Sequence, residues 1–278
     1  LFWEYSTQSK NRGVRTPSKY HLYENSVQSP EAHIELLAQI CTEVGRKESR
    51  RMREDFCGTA QLSCQWVATH SDNTAVGLDL DPEPLAYGLK NNVGALKPNQ
   101  RTRVKLLRKN VLSRGPGKFD LVVAGNFSFF IFKQRAVLLE YFRSVRASLA
   151  KGGVFTLEMA GGPGMIASTR EYRTIPIPGA GKVRYTWHQR KFDPITHDAL
   201  YSIHFTLPNG KKLNHAFEYD WRLWTIPEVR DALIEAGFRD TAVYWEKEDK
   251  HGRGTGEYAL ADKGDNSHSW IAQVVGVS

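Results

Sequence analysis

Two apolar periods alternate along this chain. Over residues 29–44, Ile34, Leu36, Leu37, Ile40 and Cys41 recur at helical spacing behind Ser29-Pro30-Glu31, a start signal for a helix. Met52 to Phe56 leads into Cys57-Gly58-Thr59-Ala60, and Leu62, Cys64, Trp66 and Val67 then repeat at helical spacing. That order predicts a strand, a tight turn and a helix. Further strands are expected at 74–80, 104–107 and 119–124, with a helix at 82–93. Val137, Leu138, Tyr141, Phe142, Val145 and Leu149 predict a helix over 135–150, which Lys151-Gly152-Gly153 stops before a fifth strand at 154–158. Strands alternating with helices imply a parallel sheet covered on both faces.

After the glycines at 161–164 the period changes. Segments 183–191, 200–207 and 211–222 alternate apolar and polar residues and are joined by Asp193-Pro194 and Pro208-Asn209-Gly210, so an antiparallel meander interrupts the parallel series. Thr225, with Pro227 in the first turn and Glu228 three residues on, forms a capping box for a helix that ends at Gly237. Strands at 241–245 and 270–277 close the pattern, with 246–269 expected as a mobile loop. Four parts follow from this reading: a cap segment and first helix (1–44), a core (45–165), an antiparallel insertion (166–224) and a closing helix with strands (225–278).

Composition narrows the class without naming it. With 278 residues, 41% hydrophobic and 24% charged, the chain suits a folded protein with a sizeable core. No run of about 18 apolar residues appears, and the polar residues 1–19 hold no secretory apolar stretch, so a soluble, cytoplasmic protein with no membrane partner is expected. Cys41, Cys57 and Cys64 match neither a disulfide framework nor a zinc set, and no metal is expected. The net charge of +8 permits a nucleic acid partner, but the basic clusters at 46–53 and 101–109 each precede an apolar strand and read as solvated strand approaches.

The chemistry is carried by the strand ends. Glu54-Asp55-Phe56-Cys57-Gly58-Thr59-Ala60 resembles the first signature of class I S-adenosylmethionine-dependent methyltransferases, an acid followed by a glycine-rich turn. The family usually has glycine where this chain has Phe56 and Ala60. Gly77-Leu78-Asp79-Leu80-Asp81-Pro82 resembles the second signature, whose acid ends the second strand. Phe119-Asp120-Leu121-Val122-Val123-Ala124-Gly125-Asn126-Phe127-Ser128 is similar to the fourth, and Ser148-Leu149-Ala150-Lys151-Gly152-Gly153 to the helix–glycine–strand join. The set occurs in the family's order over about 52–158. Its Glu-Asp-Phe-Cys-Gly-Thr turn further resembles a subgroup of bacterial small-molecule methyltransferases.

The resemblance implies a Rossmann-like α/β fold, a mostly parallel seven-stranded sheet with helices on both faces and an antiparallel β insertion. It implies S-adenosyl-L-methionine as cofactor and in-line methyl transfer to a small-molecule nucleophile. Asp79 would accept from the ribose hydroxyls. By register Glu54, or Asp55 if the strand bulges, would meet the cofactor's ammonium. Phe56, Cys57, Gly58 and Thr59 would line its amino-acid portion and Leu80 its adenine. Asn110 and Val111 would sit near the adenine, although Asn110 reads equally as a polar turn residue. Asn126 is expected at the cofactor, with Phe127 and Ser128 facing the acceptor.

For the acceptor side, Tyr20 and Tyr23 are candidate gate residues and Tyr219 a candidate wall of the insertion. No catalytic residue is fixed: Glu158, His188 and Arg222 are candidates to orient or deprotonate the acceptor, with His204 beside them. A structural role competes with each. An RNA or protein methyltransferase, or a protein that binds the cofactor without catalysis, are the alternative readings, and the oligomeric state is open.

Overall fold

The computed structural model describes residues 16–45, 48–113 and 117–278. The beginning of the expected cap segment, and Arg46 and Lys47 of the first basic cluster, lie outside the described residues.

Two short helices come first, α1 (Lys19–Val27) and α2 (Pro30–Glu43). Ser18 caps α1 through Tyr20 N, and Pro30 sits in the first turn of α2. The core then runs β1 (Arg51–Asp55), α3 (Gln61–Thr69), β2 (Thr74–Asp79), α4 (Pro82–Asn91), α5 (Pro98–Arg101), β3 (Val104–Arg108), β4 (Phe119–Ala124), α6 (Arg135–Ser148) and β5 (Leu149–Gly161). The insertion is β6 (Thr169–Ile177), β7 (Gly181–Phe192), β8 (Asp198–Thr206) and β9 (Lys212–Arg222). The chain closes with α7 (Ile226–Glu235), β10 (Asp240–Glu248), β11 (Gly254–Leu260) and β12 (Trp270–Val277). Among the described residues no helix is long and apolar enough to cross a membrane.

One sheet has the order β11-β10-β12-β5-β4-β1-β2-β3. The five strands from β5 to β3 are parallel, and β12 runs antiparallel to both β5 and β10. Central strand β4 is buried at every position, as a parallel strand covered twice must be. Val122 and Ala124 face a core shared with α6, α7 and the insertion, whereas Leu121 and Val123 face α2 and α3. Asp55 of β1 pairs with Leu78 of β2 and Ala124 of β4, so the carboxyl ends of all three strands meet at one edge. Because the chain leaves β1 in one direction and β4 lies on the other side, that edge has a crevice at the reversal of strand order.

Several expectations need correction. Among the described residues the sheet has eight strands, since 246–269 holds β11 paired antiparallel with β10 rather than a loop throughout. The insertion has four strands, because β6, exposed at most positions, pairs with β7. Residues 20–23, expected as a segment before the first helix, are themselves helical in α1. The basic clusters are not simply solvated. Arg53 is fully buried, its Nε 2.6 Å from Asp55 Oδ1, and Arg103 donates to the carbonyls of His70 and Asn99. Such a pair must be geometrically complete to offset desolvation, and Tyr141 Oη adds a bond of 2.9 Å to Asp55.

Candidate active site between the two sheets

The turn after β1 keeps an unusual backbone. Phe56, Gly58 and Ala60 have φ of 56°, 52° and 58°, all left-handed, although only one is glycine. The alternation brings successive peptide groups around the head of α3. Gly88 of α4 packs so closely on this turn that an added Cβ would lie 2.2 Å from Thr59 O. Asp79, at the end of β2, accepts from Gly58 N at 2.8 Å and from Asp81 N at 2.9 Å. Both bonds fix its carboxylate beside the turn, and a carboxylate's four acceptor positions leave capacity for two hydroxyls.

A cavity of 310 Å³ opens on this edge. Glu54, Asp55, Phe56, Cys57, Gly58, Thr59, Asp79, Asn126 and Ser128 line it, with Gln28 from the end of α1, His33 from α2 and Gln61 from α3. Three of its buried polar atoms, Gln28 Oε1, Thr59 Oγ1 and Gln61 Oε1, have no protein partner. Strand alternation sends Glu54 and Asp55 to opposite faces. Glu54 accepts from Ser63 N at 2.9 Å and Ser63 Oγ at 2.5 Å, and burial pushes its carboxyl up to about 7 against those bonds.

A second cavity, of 410 Å³, lies under the insertion. The inward positions of β7 and β9 supply Tyr185, Trp187, Tyr219 and Trp221, and Phe127, Glu158 and Trp270 face them from the core. Glu171 and Arg173 of β6, and Glu246 and Glu248 of β10, complete the polar wall. Burial, then the charges of Glu158 and Glu248, raise Glu246 above the ordinary carboxylate range despite its bond from Gly256 N. Tyr23, His33, Asn126, Tyr219 and Trp221 line both cavities and form the boundary between them. There Glu158 Oε2 accepts from Asn126 N at 2.5 Å, and Glu158 Oε1 stands 3.5 Å from His33 Nε2. Asn126 and Phe127 both have left-handed φ, 52° and 56°, a strain that tends to collect at working sites.

The structure does not bring every expected residue here. Leu80 is 58% exposed and lines neither cavity. Asn110 Oδ1 accepts from Leu112 N at 2.9 Å, the polar turn alternative, and Val111 is packed in the core. Tyr20 packs on Tyr87 and Phe217, outside both linings. His188 and His204 project from the opposite face of the insertion, their rings 5.6 Å apart. Arg222 lies 3.7 Å over the Trp224 ring and donates to Lys133 O, tying β9 to the core rather than entering the site.

Sequence reasoning missed His33, Gln28, Gln61 and Glu246 as site residues. For His33 a signal existed. It shares the stripe of Leu36, Leu37 and Ile40 at i+3, i+4 and i+7, where a polar ring interrupts an apolar face.

Residues 57–155 match the model of a methyltransferase domain. No curated protein matches the chain in sequence. Among solved structures, an S-adenosylmethionine-dependent methyltransferase from Clostridium acetobutylicum is similar at 17% identity and a TM-score of 0.66, over 93% of this chain and 97% of that one. DesVI of Streptomyces venezuelae is similar at 18% identity and 0.67, over 92% and 94%. The sugar N-methyltransferase KedS8 of a Streptoalloteichus species is similar at 17% identity and 0.65, over 100% and 98%. Residues 57–155 are therefore similar to a methyltransferase domain, and the architecture that carries them is the fold shared by these S-adenosylmethionine-dependent methyltransferases.

Proposed function

We propose that the chain transfers a methyl group from S-adenosylmethionine to an amine of a small molecule held beneath the insertion. The observation that carries this reading is the shared wall: a cavity at the strand ends and a cavity under the insertion meet at Tyr23, His33, Asn126, Tyr219 and Trp221. A donor and an acceptor seated on either side would be neighbours, and proximity is the main service such a site renders.

The first cavity suits the cofactor on chemical grounds. Asp79 has acceptor capacity for a ribose diol, Glu54 a carboxyl for an ammonium group, and Thr59 Oγ1, Gln28 Oε1 and Gln61 Oε1 are buried polar atoms awaiting partners. When bound, the cofactor supplies a methyl group already activated by its sulfonium. Leu80, Asn110 and Val111 play no part in this assignment.

The second cavity supports an amine. Its aromatic walls and the carboxylates Glu158, Glu171, Glu246 and Glu248 against one cation, Arg173, favour a protonated nitrogen by charge and by attraction to ring faces. The volume is that of a small-molecule site rather than a polymer groove. The similar solved structures include an amino pentose methyltransferase and a sugar N-methyltransferase, which agrees with this class. Exposed Arg184 and Arg190 alternate with inward Tyr185 and Trp187, so this basic charge lies on the outer face.

Calorimetry with S-adenosylmethionine and with NAD tests the donor. Binding of the first alone is expected, and Asp79→Ala should weaken it by about 100-fold through loss of two charge-assisted hydrogen bonds. Transfer of labelled methyl to a panel of amino sugars and other small amines tests the acceptor. Label appearing only in RNA or protein would replace this reading by the polymer alternative.

A further inference from the structure

We infer that His33 is the proton acceptor of the reaction, with Glu158 holding the charge it gains. The inference rests on the amine reading above and concerns residues of α2 and β5 on the boundary of the two cavities.

Hydrogen-bond distances favour one tautomer, because the Nδ1 contact is the shorter of the two. His33 Nδ1 lies 3.2 Å from Ser29 O, and a carbonyl only accepts, so Nδ1 carries a hydrogen in that bond. Neutral His33 then has its lone pair on Nε2. That nitrogen points at Glu158 Oε1, 3.5 Å away, from a ring that faces both cavities. A lone pair beside a carboxylate is unfavourable, and a protonated ring is favourable there. The pair is built to gain a proton.

Glu158 is itself held. Its other oxygen accepts from Asn126 N at 2.5 Å, the residue with left-handed backbone at the end of β4. Burial pulls the His33 ring down, but the hydrogen bond and charge of Glu158, the Ser29 carbonyl and the charge of Glu54 outweigh it and raise the ring above its ordinary value. Other groups around the dyad are Tyr23 of α1, Tyr219 of β9, Asp55 of β1, Asp79 and Asp81 at the end of β2, Glu171 and Arg173 of β6, and Glu246 and Glu248 of β10. Tyr258 of β11 feels the charges of both Glu158 and Glu246. Apart from Arg173 these ionise as anions or stay neutral, so they reinforce a positive ring.

An ammonium acceptor cannot attack, because its nitrogen has no free pair. In the assigned step one N–H bond of R–NH3+ breaks and its electron pair stays on nitrogen, giving R–NH2. The proton forms a bond with Nε2 of neutral His33, giving imidazolium beside the Glu158 carboxylate. The freed pair is what methyl transfer consumes, and the imidazolium returns its proton to water afterwards.

The decisive experiment is 15N-edited NMR of the histidine rings in the full chain, free and with S-adenosylhomocysteine, for wild type and Glu158→Gln. His33 should titrate above the ordinary histidine value, carry its neutral-state hydrogen on Nδ1, and titrate lower in Glu158→Gln. A neutral ring with hydrogen on Nε2, or no response to Glu158→Gln, overturns the proposal. With an amine that takes the label, kcat/KM should rise with pH along the His33 limb. His33→Gln should lose that limb and about 100-fold in kcat/KM while retaining S-adenosylhomocysteine binding, and an unchanged limb in this variant also overturns it. If S-adenosylhomocysteine does not bind wild type, the methyltransferase reading fails, whereas the ring measurements on the free chain still decide the dyad.

Discussion

Phe56 and Ala60 hold a left-handed backbone without being glycine, which costs roughly 1–2 kcal/mol per residue. Side-chain packing offsets that cost: the Phe56 ring lies 5.8 Å from both Phe132 and Tyr141, and Ala60 is fully buried. Phe56→Gly should therefore relieve the backbone yet lose more in packing, leaving the chain about 2 kcal/mol less stable in urea denaturation. Equal or greater stability would mean that the ring does not secure the turn. Glu54 makes a second case. Its folded value of about 7 lies above the ordinary 4.5, so the folded state keeps a proton that the unfolded chain releases between those limits. Stability from this group is full below about pH 4.5 and is lost as pH rises through 7, on the order of 3 kcal/mol over the window. Glu54→Gln, which keeps an acceptor for Ser63, should flatten that slope in denaturation curves recorded across the window. At this scale the sequence was legible where a residue's type matched one job: Gly58 and Asp79 meet in a hydrogen bond. It was illegible where the job depended on direction. Leu80 turns outward, and His33 matters only because α2 aims its ring at a residue 125 positions away.

Elements were legible in proportion to their burial pattern. β4 and α6 announced themselves because a strand covered on both faces is nearly continuously apolar and a covered helix carries a regular stripe, whereas β1, Arg-Met-Arg-Glu-Asp, was marked by the turn that follows it. β6 and β11 did not. β6 reads Thr-Arg-Glu-Tyr-Arg-Thr-Ile-Pro-Ile and is exposed at most positions, and β11 carries glycines at 254 and 256. Both are edge strands, whose pairing comes from a neighbour and whose polar residues guard the open side. α1 is short and lacks a strong stripe, and it is held by distant partners: Glu24 accepts from Asn92 Nδ2 at 2.7 Å, and His21 bonds the Pro178 carbonyl. One contact between elements has a sharp consequence. Because Thr59 O already occupies the place of a Cβ on Gly88, Gly88→Ala must push α4 off the turn, at about 1–3 kcal/mol, and should weaken S-adenosylmethionine binding in calorimetry. Wild-type affinity in a folded Gly88→Ala protein would show that this helix does not set the turn.

For the molecule as a whole, the sequence disclosed an insertion that interrupts the core and whose Tyr219 was expected to wall the acceptor side, but not that its cavity meets the one at the strand ends. That arrangement depends on α1 and α2 bridging two sheets, and no local pattern encodes it. Charge is unevenly divided in the same way, with four carboxylates and Arg173 lining the cavity under the insertion and Arg184 and Arg190 on the outer face. Partner attraction through the outer face is therefore not part of the proposed chemistry. Turnover of a small amine should change by no more than about twofold between 50 and 200 mM salt, whereas a nucleic acid substrate would lose orders of magnitude. A steep salt slope in that assay would return the outer face to consideration. The β10–β11 hairpin has a further implication. It contributes Glu246, Glu248 and Gly254 to the cavity under the insertion, yet it forms the sheet edge farthest from β1 and β2, whose ends border the first cavity. On the proposed reading, substitutions in that ribbon would retune which molecules are accepted and leave the donor grip in place, so grafting ribbons between relatives becomes a direct route to altered selectivity.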